Sequence, residues 1–192
     1  MGYNIKVIVV GIQYHKNSTN KTLVGCKWVY KIKTHSDGSV ELYKARLVAQ
    51  DFMQEYGINY EETFALVARL TTIHSLLTIV AICKWKLFQM DVKNAFLNGD
   101  LEEEVYMKPP LGLTPPSNKV CRLRRAMYGL KQSPRAWFPK FSSTVSEFGF
   151  TSSPHDTALF VHKSAQGTVL LLIYVDDMII TGDDVSGTDE LK

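Results

Sequence analysis

Cysteine is scarce in this sequence of 192 residues, in which Cys26, Cys83 and Cys121 stand far apart. An odd number of scattered cysteines without a closely spaced pair argues against both a disulfide framework and a zinc site. The pattern is typical of a protein from a reducing compartment, so we expect an intracellular chain with free thiols.

Long hydrophobic runs are absent as well. The longest apolar stretches, residues 7–12 and 169–175, are much shorter than the roughly 20 residues that span a bilayer. No small-residue cleavage site follows the N-terminal stretch, and Lys6 occupies the position where an N-myristoylation signal has Ser or Thr. We therefore predict that no membrane is among the partners.

Neither sign of charge dominates, because 22 Lys and Arg residues against 19 Asp and Glu residues give a net charge of +3. This mild positive balance is compatible with nucleic-acid binding and does not establish it. A hydrophobic content of 45% with 21% charged residues is ordinary for a folded globular chain, which makes disorder unexpected.

An alternating pattern predicts a β-hairpin from strands 24–33 and 40–49, joined by a turn at 36–39. One face of the hairpin would be apolar and the other basic, with Lys44 and Arg46 on one side of the second strand. On the first strand the apolar face carries Trp28, Tyr30 and Ile32. The basic face carries Lys27, Lys31 and Lys33. Such lysines commonly do no more than solvate an outer face.

Elsewhere, periodicity and turn residues predict alternating short helices and strands. A helix that begins at Ser133 would contain Pro139, which should kink or shorten it. Asp183 and Asp184 are interpreted as surface residues. The other predicted elements are a helix at 71–85, a short helix or turn at 94–101, and strands at 87–92, 120–123, 158–162, 168–175 and 178–181.

Three carboxylates follow or interrupt strongly apolar strands. Asp176 and Asp177 form a turn between two such strands, and Asp91 ends another. If these strands are neighbours, the three acids converge, and the repulsion between them would favour a bound cation. Oxygen-only ligands suit Mg²⁺. An Asp-Asp pair at a turn is more often only a turn, and the spacing does not match a calcium-binding loop.

Six motifs in order give the sequence a family resemblance, from about residue 22 to the C-terminus. They are GCKWVYK at 25–31, YKARLVA at 43–49, RLTTI at 69–73, QMDVKNAFLNG at 89–99, YGLKQSPRAW at 128–137 and YVDDM at 174–178. Together they resemble the reverse transcriptase of copia-type LTR retrotransposons, part of a Pol polyprotein.

The resemblance implies an α+β fold, in which an antiparallel palm sheet is backed by helices and accompanied by β-rich fingers. Residues 22–192 would form these fingers and palm, and residues 1–21 would be a non-matching N-terminal appendage. The chain would end before the primer grip, thumb, ribonuclease H and integrase. The palm sheet would then have an exposed edge near residues 178–181.

The resemblance also implies RNA-directed DNA polymerase activity, with two Mg²⁺ ions, or Mn²⁺ as the alternative ion, held by the catalytic Asp91, Asp176 and Asp177 and by the Val92 carbonyl. An RNA template, a DNA primer and a deoxynucleoside triphosphate would be the partners, and a cytoplasmic virus-like particle the location. Substrate would contact Lys31 and Arg46 at the triphosphate, Phe96 at the sugar, Gln132 near the nucleotide, and Tyr174 and Val175 beside the primer end.

Some residues depart from the family pattern: Asp51 stands in place of Gly, Leu66 of Pro and His74 of Arg. These departures leave open an alternative, an inactive truncated relic that retains at most nucleic-acid binding. An RNA-dependent RNA polymerase shares the palm, but Phe96 argues against it because that enzyme must admit a 2′-hydroxyl.

Overall fold

The computed structural model describes residues 12–16, 22–50, 54, 57, 67–114, 116 and 118–191. Asp51, Leu66 and most of the predicted appendage 1–21 lie outside these residues. The chain divides into two compact units. The first unit comprises Met1–Thr63 and Phe96–Trp137, and the second comprises Phe64–Ala95 and Phe138–Lys192.

The described residues form strands, three α-helices and one 3₁₀ helix, Ala95–Asn98. The helices are α1 (Leu70–Cys83), α2 (Ser133–Glu147) and α3 (Val185–Glu190). The strands are β1 (Ile12–Lys16), β2 (Leu23–Val24), β3 (Cys26–Thr34), β4 (Val40–Ala49), β5 (Leu87–Asp91), β6 (Asp100–Met107), β7 (Lys119–Arg125), β8 (Thr151–Ser152), β9 (Leu159–Lys163), β10 (Thr168–Tyr174) and β11 (Asp177–Gly182).

The first unit contains two sheets in its described part. A four-stranded sheet has the order β1-β7-β6-β2, with β2 parallel to β6 and the other pairs antiparallel. Strands β3 and β4 form a separate antiparallel hairpin, as predicted. Buried side chains from both sheets and from the turn after β7 make one core: Val24, Leu47, Ala49, Val105, Met107, Cys121, Leu123, Met127 and Leu130.

The hairpin buries little of its apolar face toward the tip, where Tyr30 is 73% exposed and Ile32 57% exposed. A two-stranded sheet has no layer of its own to cover such a face. The prediction of two chemically different faces is correct, but the apolar face enters the core only at the base of the hairpin, through Leu47 and Ala49.

Strand β1 lies inside the segment 1–21 that the sequence pattern treats as an appendage, and it pairs with β7 from Ile12↔Leu123 to Lys16↔Lys119. These five residues are therefore an edge strand of the first unit's sheet. The domain boundary between residues 21 and 22 stays a prediction.

The second unit is built on a five-stranded antiparallel sheet with the order β5-β11-β10-β9-β8 among the described strands. Its central strands are apolar and buried, with Leu172 and Ile180 fully inaccessible. The predicted exposed edge near residues 178–181 is wrong, because β11 pairs with β5 on one side and β10 on the other. Strand β5 is distant in sequence, so its pairing could not be deduced locally.

Helix α2 continues through Pro139 to Glu147. The expected shortening is therefore wrong, although Pro139 cannot donate the hydrogen bond that a helix interior requires. Phe138 and Phe141 pack on Phe160 of β9, with ring centroids 6.2 and 5.6 Å apart. These aromatic contacts anchor the helix to the sheet on both sides of the proline and offset the lost bond.

Asp184 is buried, which corrects its interpretation as a surface residue. Its carboxylate accepts hydrogen bonds from the Gly187 N–H at 2.9 Å and the Ser164 hydroxyl at 2.7 Å, so it caps helix α3. These two hydrogen bonds hold the pKa of Asp184 below its usual value. Helix α3 was not predicted, because Gly187 and Thr188 within it are weak helix formers.

All three cysteines lie within the described part of the chain and are free thiols. Burial raises the pKa of Cys26 and of Cys121, and their proximity raises that of Cys26 further. A raised pKa favours the protonated thiol, which is the weaker nucleophile, in both groups. No helix in the described ranges is both long and apolar enough to cross a membrane.

Asp156 joins the loop before β9 to the N-terminus of α1. It is buried, and its carboxylate accepts hydrogen bonds from the Arg69 N–H at 2.9 Å and the Ala158 N–H at 3.1 Å. Burial raises the pKa of Asp156, but hydrogen bonds from Thr72, Arg69 and Ala158 and the charge of Arg69 outweigh it, so the pKa lies below its usual value. Its charged form therefore stabilises the fold.

Replacing Asp156 with Asn is expected to lower the free energy of unfolding at pH 7 by about 1–2 kcal/mol, because a charged cap becomes a neutral one. A depressed pKa stabilises the fold above the unfolded value and loses that effect as pH falls through the folded value. Urea unfolding from pH 7 down to pH 3 should therefore show the two proteins converging below about pH 4. A constant difference across this range would contradict the assignment.

Candidate active site

Two of the three predicted catalytic carboxylates lie directly opposite each other. In the antiparallel pair β11–β5, Asp177 is the register partner of Asp91. Side chains of directly opposed residues project from the same face of a sheet and lie close together, and like charges in this position are destabilising. Asp91 is exposed and Asp177 half-buried, so this repulsive pair faces solvent at one end of the sheet.

The third carboxylate, Asp176, lies in the two-residue loop that joins β10 to β11. The register partners Tyr174 and Asp177 close this loop, and Val175 and Asp176 form its turn. The backbone carbonyl of Asp176 accepts a hydrogen bond from the Val92 N–H at 2.8 Å. This bond continues the β5–β11 ladder beyond Asp91. It joins the turn that contains Asp176 to the end of β5, the strand that carries Asp91.

Val175 adopts an unusual backbone conformation, with φ at +62°. A positive φ at the first central residue only is the pattern of a type II′ hairpin turn, in which Gly is normally found. For a β-branched residue this conformation is a genuine outlier that costs on the order of 1–3 kcal/mol. The surrounding strands hold the strain in place beside the carboxylates.

Substituting Val175 with Gly should therefore raise the free energy of unfolding by about 1 kcal/mol, after allowance for the greater freedom of Gly in the unfolded chain. The Val175 side chain is 36% exposed, so its removal costs little packing. Chemical denaturation of both proteins would measure the difference, with Val175→Ala as the control that keeps the strained φ. A less stable Gly variant would refute the idea that this turn is strained.

Carboxylate oxygens from Asp91, Asp176 and Asp177, with a backbone carbonyl at Val92, form a donor set that suits a hard divalent cation. The Val92 carbonyl also accepts a hydrogen bond from the Ala95 N–H at 3.1 Å, and its second lone pair is available for a metal. The expected convergence of the three carboxylates is not seen, although β5 and β11 are neighbours, because no three acidic, His or Cys side chains in the described ranges meet at one point. The donor chemistry still suits a hard cation, with Asp91 and Asp177 opposed and Asp176 adjacent in the turn.

Gln89 is a neighbour of this site that the sequence pattern did not identify. Its side-chain amide donates to the Asp177 carboxylate at 3.4 Å, across the β5–β11 pair. The sequence did contain a signal for this position. Gln89 lies two residues before Asp91, and alternate residues of a strand project from the same face, so both side chains lie on one face of β5.

The predicted triphosphate-binding residues lie on the hairpin of the first unit. Lys31 is exposed on β3 opposite Lys44 of β4, and Arg46 lies opposite Val29. These registers bring Lys31, Lys44 and Arg46 to the same face, which is therefore basic as predicted. Two opposed lysines repel, and this arrangement favours an anionic ligand.

Phe96 and Gln132 are both buried in the first unit, with 7% and 1% of their surface exposed. Phe96 packs edge-to-face on Tyr128, with ring centroids 4.9 Å apart and planes at 75°. The Gln132 carbonyl accepts from the Ala136 N–H at 2.9 Å, so Gln132 immediately precedes helix α2 and accepts a hydrogen bond from its first turn. Their substrate contacts stay predictions. Tyr174 and Val175 are exposed beside the carboxylates of the second unit.

Comparison with known proteins assigns the chain to a class. Residues 12–192 match the family model described as reverse transcriptase (RNA-dependent DNA polymerase). The chain therefore belongs to the reverse transcriptase family.

Curated relatives narrow this class to copia-type transposons, which confirms the resemblance carried by the six motifs. The chain is 46% identical over 165 residues to the retrovirus-related Pol polyproteins from transposons RE1 and RE2 of Arabidopsis thaliana. It is 41% identical over 170 residues to the one from transposon TNT 1-94 of Nicotiana tabacum. These alignments cover 85–87% of the chain and 11–13% of the relatives, so the chain spans about a tenth of their length.

Proposed function

We propose that this chain is the fingers and palm of an RNA-directed DNA polymerase, which joins a deoxynucleoside triphosphate to the 3′-hydroxyl of a DNA primer on an RNA template. The observation that carries the proposal is the opposition of Asp91 and Asp177 across β5 and β11, beside the turn that contains Asp176. In a chain of this family, such a carboxylate set is suited to phosphoryl transfer. The second unit would be the palm, and the β3–β4 hairpin would belong to the fingers.

Two Mg²⁺ ions, or Mn²⁺, would be held by Asp91, Asp176 and Asp177 and by the Val92 carbonyl. When bound, such ions activate the attacking hydroxyl and neutralise charge on the phosphates. The chain itself supplies the positioning. The β5–β11 ladder fixes Asp91 opposite Asp177, and the Val92 N–H holds the Asp176 turn at 2.8 Å.

The remaining predicted residues would bind substrate. Lys31 and Arg46 would hold the triphosphate, since both lie on the basic face of the hairpin and Arg binds phosphate through two parallel hydrogen bonds. Phe96 would exclude a 2′-hydroxyl through the bulk of its ring. Tyr174 and Val175 would lie beside the primer end, and Gln132 would support the nucleotide side from the position just before α2.

Primer extension tests the proposal. Purified chain is supplied with poly(rA)/oligo(dT), dTTP and Mg²⁺, next to the Asp176→Asn variant. Asp183→Asn is the matched control, because Asp183 lies at the opposite end of β11 and its substitution removes the same charge. We expect extension that Asp183→Asn retains and Asp176→Asn loses. Equal extension by all three proteins, or folded wild-type protein that extends nothing, would reject the proposal for this chain.

A second candidate is nucleic-acid binding without synthesis. It is favoured by the exposed lysines of the hairpin, Lys27, Lys31 and Lys33, which could contact phosphates without any help from the carboxylates. Binding of labelled poly(rA)/oligo(dT) that weakens steeply with salt, in a chain that extends no primer, would support this candidate over the first.

A further inference from the structure

Tyr128 contacts two of the proposed substrate-binding residues at once. The guanidinium carbon of Arg46 lies over the Tyr128 ring, 4.5 Å from its centroid. The same ring makes the edge-to-face contact with Phe96 at 4.9 Å. All three residues belong to the first unit. The roles proposed for Arg46 at the triphosphate and for Phe96 at the sugar are separate, yet both side chains contact the Tyr128 ring.

The backbone around Tyr128 is fixed to the strand that carries Arg46. The Tyr128 carbonyl accepts from the Ala49 N–H at 2.8 Å, just beyond Arg46 on β4. The Gln54 side chain makes hydrogen bonds with the backbone of Gly129 and Lys131, which follow Tyr128. Its amide nitrogen donates to the Gly129 carbonyl at 3.5 Å, and its amide oxygen accepts from the Lys131 N–H at 2.9 Å. The ring therefore has a defined place relative to β4.

The Arg46 guanidinium stacks on the Tyr128 ring. Its Nε atom is buried and has no hydrogen-bond partner within the described ranges. A guanidinium that stacks on an aromatic face is held in a plane, which presents its terminal nitrogens in a constant direction. The edge-to-face contact likewise restricts the Phe96 ring.

We propose that Tyr128 is a positioning residue that couples the triphosphate contact of Arg46 to the sugar contact of Phe96. The inference rests on the proposed function. Tyr128 touches neither phosphate nor sugar; it sets the geometry of both groups that do. Loss of the ring should therefore weaken triphosphate binding and, in parallel, reduce the preference for a deoxyribose over a ribose.

Isothermal titration of the full chain with inorganic tripolyphosphate, dUTP and UTP in the presence of Mg²⁺ separates these effects, because dUTP and UTP differ only in the 2′-hydroxyl. Tyr128→Leu should weaken tripolyphosphate binding about threefold to tenfold, in line with the loss of a cation–π contact. It should also lower the dUTP-to-UTP affinity ratio severalfold. Tyr128→Phe keeps the ring and should behave like wild type, which identifies the ring and not the hydroxyl as the active feature.

Arg46→Lys provides a readout that does not depend on the folding of any Tyr128 variant. It keeps the positive charge but removes the planar group that stacks on Tyr128. Under the proposal it lowers the dUTP-to-UTP ratio as well, although this position contacts no sugar. In an Arg46→Ala background, Tyr128→Leu should cause no further loss of tripolyphosphate binding, whereas independent structural damage would add to it.

The outcomes distinguish this inference from the proposed function. Wild-type chain that binds no triphosphate, or binds it equally well after Arg46→Ala, would overturn the proposed function and this inference with it. Arg46-dependent binding with an unchanged dUTP-to-UTP ratio in both Tyr128→Leu and Arg46→Lys would overturn the inference alone.

Discussion

Replacing Asp177 with Asn is expected to stabilise the chain in EDTA and to destabilise it, relative to wild type, in excess Mg²⁺. Without a cation, the variant removes one of two negative charges that oppose each other across β5 and β11. Cross-strand charge pairs of this kind contribute roughly 0.2–1 kcal/mol, so the gain in EDTA should lie in that range. Asn has nearly the same shape, and its oxygen can still accept the hydrogen bond from Gln89.

With a divalent cation the sign reverses. A ligand that binds only the folded state stabilises it by about 2.7 kcal/mol at a concentration 100 times its dissociation constant. Wild-type chain gains this stabilisation, and the Asn variant loses most of it because the neutral Asn oxygen attracts a divalent cation much less than a charged carboxylate does. The same geometry thus predicts opposite effects under two conditions.

Urea denaturation of wild type and variant, in EDTA and in Mg²⁺, measures all four free energies of unfolding. Asp183→Asn serves as the control, because it removes a charge at the other end of β11 and should show no reversal. If the difference between wild type and Asp177→Asn has the same sign and size in both conditions, Asp91 and Asp177 do not share a cation site.

Sequence patterns predicted the secondary-structure elements that are determined by their own residues. The β3–β4 hairpin follows from two alternating segments and a turn that contains Gly38, and α1 follows from apolar residues at helical spacing. Strand β6 was missed because its sequence carries three consecutive acidic residues, Glu102 to Glu104, which resemble a solvated loop. It becomes a strand because β7 and β2 flank it, and neither pairing is visible in the segment itself.

The candidate site shows the same division. Motifs and family resemblance identified Asp91, Asp176 and Asp177, but not which of the two turn residues would face Asp91. The register places Asp177 opposite Asp91, because Val175 and Asp176 form the two-residue loop and Asp177 is the first residue of β11. The contact of Tyr128 with Arg46 was also out of reach, since it joins a turn to a strand far away in sequence. Contacts of this kind are properties of the assembled unit.

Substituting Gly129 with Ala is expected to cost about 2–5 kcal/mol of folding free energy. Gly129 has φ at +86°, a conformation that side chains rarely adopt. An added Cβ would also lie 2.2 Å from the Ala49 carbonyl oxygen, which is backbone and cannot rotate away. Relief of this clash requires the turn to move off β4, which breaks the bond from the Ala49 N–H to the Tyr128 carbonyl.

Gly38→Ala separates the two parts of this cost. Gly38 has nearly the same φ, +84°, but an added Cβ meets nothing within 4 Å. Its substitution should therefore cost only the conformational strain, about 1–2 kcal/mol. Urea unfolding of both variants gives the difference, which measures the close approach of the turn to β4. Equal losses would mean that the turn is free to shift. A much larger loss for Gly129→Ala would mean that the turn requires Gly at position 129. Only Gly then allows the turn to pack against β4, the strand that carries Arg46, and keeps Tyr128 next to that strand.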